Sequence, residues 1–161
     1  MKTRGLALLA TVVGVAFATS AAEAATPDQV GQWGPVQNWP IVSVHASLEP
    51  SGKVLAWDGF EQGPNSEHVW DPATNNIVAT PYSRNLFCSG YAQLPDGRLL
   101  IAGGHIQVNN GLNDTTLWNT TTNTATRGVD LTNSRWYPTA TTLADGRAMV
   151  FSGDNIQSDD T

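Results

Sequence analysis

After its first 24 residues, the chain shows no helical period in its hydrophobic positions. Short apolar runs, rich in β-branched and aromatic residues, alternate with small or polar ones and are divided by Pro, Gly, Asn and Asp. The pattern is clearest from Phe87 to Gly104, Phe-Cys-Ser-Gly-Tyr-Ala-Gln-Leu-Pro-Asp-Gly-Arg-Leu-Leu-Ile-Ala-Gly-Gly. A second copy runs from Arg135 to Gly153, and a weaker one from Ser43 to Gly59. Aligned on their turns, Gly52, Gly97 and Gly146 match, at spacings of 45 and 49 residues. A repeat of that length, built from short strands and tight turns, predicts an all-β fold of four-stranded propeller blades.

Taken in order, Ala25 to Trp39 and Pro40 form a Pro/Gly-punctuated lead-in segment, residues 25–40, expected to lie over the body. Ile41 to Leu48 and Lys53 to Trp57 then form a hairpin about Pro50-Ser51-Gly52, and His68 to Trp70 with Ile77 to Ala79 form a second. The next copy predicts strands at Cys88 to Leu94, Arg98 to Ala102, Thr115 to Trp118 and Thr124 to Arg127, with a long loop from Gly103 to Asn113. Trp70 and Trp118 match at a spacing of 48. The expected blades span residues 41–80, 86–128 and 135–161, the last one broken off. Propellers close with about four to eight blades, so about two and a half predict an incomplete propeller, the N-terminal piece of a longer protein.

The first 24 residues have the plan of a secretory signal peptide: Lys2 and Arg4, an apolar run from Leu6 to Phe17, then Ala22-Glu23-Ala24 before the cut. The remainder is expected to be exported and soluble. Without the signal it carries 6 basic and 13 acidic residues, a net of −7, which argues against nucleic acid or membrane partners. Only 14% of the whole chain is charged, below the usual quarter. Its single cysteine, Cys88, excludes an internal disulfide.

Cys88 lies nine residues before Gly97, and Tyr137 nine before Gly146. Equivalent residues on the first strands of successive blades stand side by side around a central channel, so these two are expected to be neighbours. His45 is read as a structural group on its strand, and His68 and His105 as too far apart in the repeat to form a metal pair. Asp96 and Asp145 are expected to bond to nearby backbone N–H groups, and Arg98, Arg147 and Lys53 to make a repeated contact between blades. Asn113 and Asn119 each begin a glycosylation sequon, a pattern common by chance. No Walker loop, dinucleotide glycine motif, His-Glu-x-x-His or Gly-x-Ser-x-Gly is present.

The double glycine Gly103-Gly104 and the spaced tryptophans resemble kelch repeats. Asn85-Leu86-Phe87-Cys88-Ser89-Gly90 together with Arg135-Trp136-Tyr137-Pro138-Thr139 resembles the galactose oxidase and glyoxal oxidase family of copper-radical oxidases. The resemblance implies a thioether between Cys88 and Tyr137, forming a protein-derived radical cofactor, and copper bound by the oxygen of Tyr137. It also implies oxidation of a small alcohol or aldehyde by O₂, giving H₂O₂. The family's adjacent Tyr-His pair is absent from this sequence, so copper is expected to bind only with blades beyond it, and the 161-residue chain to be inactive by itself. Nor does Gly153-Asp154-Asn155-Ile156 hold the tryptophan that galactose-oxidising members place over the cross-link. A different reading is a non-catalytic kelch-type propeller that binds carbohydrate or an exported protein partner through loops such as Gly103 to Asn113.

Overall fold

The computed structural model describes residues 25–26, 30–59 and 66–155. The expected signal, residues 1–24, and the end of the third repeat, residues 156–161, lie outside the described residues. The chain divides into two units, Met1–Gln37 and Asn38–Thr161. In the first, Trp33 and Val36 are exposed.

The second unit holds three antiparallel sheets among the described residues. The first blade is β1 (His45–Leu48), β2 (Val54–Trp57), β3 (His68–Asp71) and β4 (Asn76–Ala79), adjacent in sequence order. The second is β5 (Ser89–Gln93), β6 (Leu99–Gly103), β7 (Leu112–Asn119) and β8 (Thr124–Arg135), in the same order. A third sheet begins with β9 (Thr139–Thr142) and β10 (Ala148–Phe151). This is the open, incomplete propeller that the repeat predicts.

Each first hairpin turns on its matched glycine. Gly52, Gly97 and Gly146 have φ of 81, 86 and 85°, a left-handed conformation open to glycine at no steric cost. In the second and third copies an aspartate completes the turn: Asp96 accepts the Arg98 N–H and Asp145 the Arg147 N–H, both at 3.1 Å. The arginines then fold back onto those same carboxylates, Arg98 on Asp96 and Arg147 on Asp145, each at 2.7 Å. Their repeated contact is thus within a turn, not between blades, because the two-residue offset brings guanidinium and carboxylate together at the hairpin tip.

Neighbouring blades join along their first strands. Tyr91 donates its hydroxyl to the Ala46 carbonyl at 2.9 Å, Gln93 donates to Leu48, and Thr142 to Gln93. These ties span 45, 45 and 49 residues, the spacings of the repeat itself. Beneath them lies one apolar cluster of Leu55, Trp57, Val69, Leu86, Leu99, Ile101 and Trp118. Burying each large side chain contributes roughly 1.5–3 kcal/mol. Both fully buried indoles also satisfy their N–H across blades: Trp57 on the Leu86 carbonyl at 2.9 Å, and Trp118 on the Glu49 carboxylate at 2.8 Å.

The largest departure from the sequence pattern is β8, which continues to Arg135 instead of stopping at Arg127. Its partner β7 starts earlier than expected, and their pairing shifts register on either side of Asp114. That buried carboxylate is held by Arg84 at 3.0 Å and Arg127 at 2.9 Å, as burial of a charge requires. The Gly128-Val129-Asp130 interruption hides the strand's continuation in the sequence.

Replacing Trp118 with Phe removes the indole donor from the Glu49 carboxylate and leaves a void. The expected cost is about 2–4 kcal/mol in urea unfolding, against less than about 1 kcal/mol for Trp70→Phe, whose indole bonds only to the exposed Asn75. Glu67 is fully buried, with Oε2 accepting the Tyr82 N–H and Oε1 lacking a partner among the described residues. Burial pushes its pKa up to about 7. The folded state therefore binds this proton more tightly than the unfolded chain, and stability falls as pH rises from about 4.5 through 7. Glu67→Gln should remove that decline, seen as a urea midpoint above wild type at pH 8 and no advantage at pH 4.

Candidate active site

Two short segments on adjacent blades build the site. In the first, Asn85 Oδ1 accepts the Phe87 N–H at 3.1 Å and the Ser89 hydroxyl donates to the Leu86 carbonyl at 2.7 Å. The chain turns back there, leaving Cys88 with φ of 61° just ahead of β5. In the second, Tyr137 has φ of 57° and precedes Pro138, whose ring disfavours helical dihedrals in the residue before it. Such left-handed residues cost about 1–3 kcal/mol each. The two share this left-handed conformation as well as their repeat position.

A backbone bond joins them, with the Tyr137 N–H donating to the Cys88 carbonyl at 2.6 Å. Gly90 makes this approach possible, since a Cβ there would lie 2.3 Å from the Pro138 carbonyl oxygen. The two residues expected to be neighbours from their register are brought together.

The side chains meet as well. The Cys88 sulfur is fully buried, and the Tyr137 hydroxyl and the Trp136 indole are near enough to act on its ionisation. It also lies 3.5 Å from Nδ1 of His105. The Trp136 indole donates to that same nitrogen at 3.0 Å, and its ring stands edge-on to Tyr137 with centroids 4.6 Å apart. Phe87 approaches Tyr137 from another side at 5.9 Å. Tyr137 itself is 47% exposed, so its ring is packed while part of it reaches solvent.

Burial, against weaker opposing bonds from Tyr137 and Trp136, pushes the Cys88 thiol up to about 11. Burial and the adjacent sulfur push the Tyr137 phenol up to about 12. Both groups are protonated at neutral pH.

The other histidines serve elsewhere. His45 stacks on Trp57 at 4.9 Å and meets Phe87 and Tyr91 edge-on, and burial lowers its pKa. His68 Nδ1 bonds to the Ser66 carbonyl at 2.9 Å. His105 is the site residue that repeat matching passes over. The hairpin register could have found it: Ser89 pairs with Gly103, so the residues just outside that pair, Cys88 and those following Gly104, must face each other. Trp136, likewise, precedes the tyrosine instead of following it.

Among the described residues no three His, Cys, Asp or Glu side chains group as a metal site. His105 Nδ1 is taken by the indole. A groove of about 340 Å³ is lined by Asn110, Asn113, Asn133, Ser134 and Asn155, with no charged side chain among its lining residues.

No family model matches the chain. Two sequences of galactose oxidase from Gibberella zeae are each 30% identical to it over 136 residues, a match that takes in 77% of this chain. The chain spans 19% of the length of these curated relatives. Among solved structures, a fungal alcohol oxidase described as showing catalytic diversity among the AA5 family, in complex with copper, matches with a TM-score of 0.63 and 24% identity. That match covers 77% of this chain and 28% of the oxidase, and shows the shared fold.

In copper-free, reduced protein the alkylation rate of Cys88 by iodoacetamide should keep rising to about pH 11, well past the usual cysteine value near 8.5. A plateau by pH 9 would show a thiol less buried than this one.

Proposed function

We propose that this chain, galactose oxidase-like across its repeats, forms the N-terminal part of an exported copper-radical oxidase that converts an alcohol or aldehyde and O₂ to the oxidised product and H₂O₂. The observation that carries the reading is the backbone bond from the Tyr137 N–H to the Cys88 carbonyl, which brings equivalent positions of adjacent blades together. The Cys88 S–H and one Tyr137 ring C–H break, the carbon–sulfur bond forms, and two electrons and two protons pass to O₂, giving H₂O₂. The sulfur then spreads unpaired spin from the ring and makes the phenol easier to oxidise. Copper, when bound, supplies the second one-electron acceptor that oxidation of a C–H bond requires.

Tyr137 offers copper its phenol oxygen, and losing the proton requires that the metal overcome a pKa near 12. The remaining ligands must come from beyond the described residues, so the chain as given is proposed to be inactive by itself. Trp136 and Phe87 pack the ring and exclude water from two sides of it. The signal-like first 24 residues support export, and no helix among the described residues is long and apolar enough to cross a membrane.

A second reading, a non-catalytic propeller that binds carbohydrate, draws support from the uncharged amide-lined groove, whose chemistry suits neutral hydroxyl groups. One experiment separates the two. The full-length gene product, purified without copper and then given Cu(II) and air, should yield a Cys88–Tyr137 linked peptide lighter by two hydrogens. Cys88→Ser and Tyr137→Phe should leave the peptides separate, the fold intact and turnover lost. If wild-type Cys88 stays fully alkylatable after copper and air, the oxidase reading falls and the binding module stands.

A further inference from the structure

We infer that His105 is a positioning residue, whose Nδ1 holds the Trp136 indole and the Cys88 thiol together against the Tyr137 ring. Its consequence for cross-linking rests on the oxidase reading above, whereas its geometry does not.

An indole N–H can only donate, so the nitrogen 3.0 Å from it must present a lone pair. The same lone pair faces the Cys88 sulfur at 3.5 Å, within reach of a thiol proton. The proton of the neutral ring therefore sits on Nε2. A proton on Nδ1 would set a donor against the indole donor and release it. Burial, which lowers the His105 pKa, favours the neutral ring.

His105 is well anchored for this task. Its own N–H donates to the Asn85 carbonyl at 3.0 Å, within the turn that carries Cys88. Gly104 lets that approach occur, since a Cβ there would fall 2.5 Å from the same carbonyl oxygen. Phe87 packs on the imidazole with centroids 5.5 Å apart. The ring is thus fixed to the second blade while its bonding partner Trp136 leads into the third, directly before Tyr137. Holding the indole also holds the face it presents to the phenol.

Two substitutions separate the hydrogen bond from mere packing. His105→Asn places an amide oxygen where Nδ1 was, and His105→Phe keeps the ring but removes the acceptor. In full-length, reduced, copper-free protein, the Trp136 indole proton is identified by its loss in Trp136→Phe. Its solvent exchange, followed by NMR, should be slow in wild type and His105→Asn and fast in His105→Phe. After Cu(II) and air, thioether formation followed by peptide mass should proceed near the wild-type rate in His105→Asn and at least about tenfold slower in His105→Phe. Should Phe prevent folding, His105→Leu, smaller and likewise without an acceptor, replaces it with the same expectation. Equal indole exchange in wild type and the acceptor-free variant would overturn the positioning role, as would equal cross-linking rates. Absence of any thioether in wild type would instead remove the oxidase reading, and indole exchange alone would then decide the role of His105.

Discussion

The hydrogen bond from the Tyr137 N–H to the Cys88 carbonyl sets the distance between the second blade and the third at the place where the two strands begin. It demands left-handed backbone at both residues and a glycine at position 90. Once these conditions are met, the sulfur and the phenol have little choice of neighbours. The proximity of the pair is therefore a property of the backbone repeat, and the side chains inherit it.

The rest of the fold keeps that spacing stiff. Side chains on the first strands bond to carbonyls one repeat away, and the buried indoles of Trp57 and Trp118 each bond into the adjoining blade. Apolar burial supplies most of the cohesion, but it is not directional. The two indole bonds restrict sliding, since a shift by one residue would leave a buried N–H and a buried carboxylate without partners.

Fold class and the backbone meeting of Cys88 with Tyr137 were legible in the sequence because each depends on a fixed offset from a turn glycine. What escaped were features that break the repeat. The extension of β8 follows from a bulge at Asp114, a compensation that depends on Arg84 and Arg127 and has no periodic trace. Arg98 and Arg147 matched one another for a local reason, the turn, which an inter-blade alignment cannot distinguish from a contact across blades. His105 escaped because it has no counterpart in the other copies, and a site residue that appears once is invisible to a comparison of repeats.

That Cys88 and Tyr137 share one position of the repeat has an evolutionary consequence. Duplicating a blade creates two facing positions before either has acquired any chemical purpose, so a paired site needs no coordinated insertion of new segments. Two codons, changed separately in the daughter copies, are enough to place a thiol beside a phenol. The first change is tolerable alone, as a buried cysteine or a packed tyrosine, and selection can act when the second arrives.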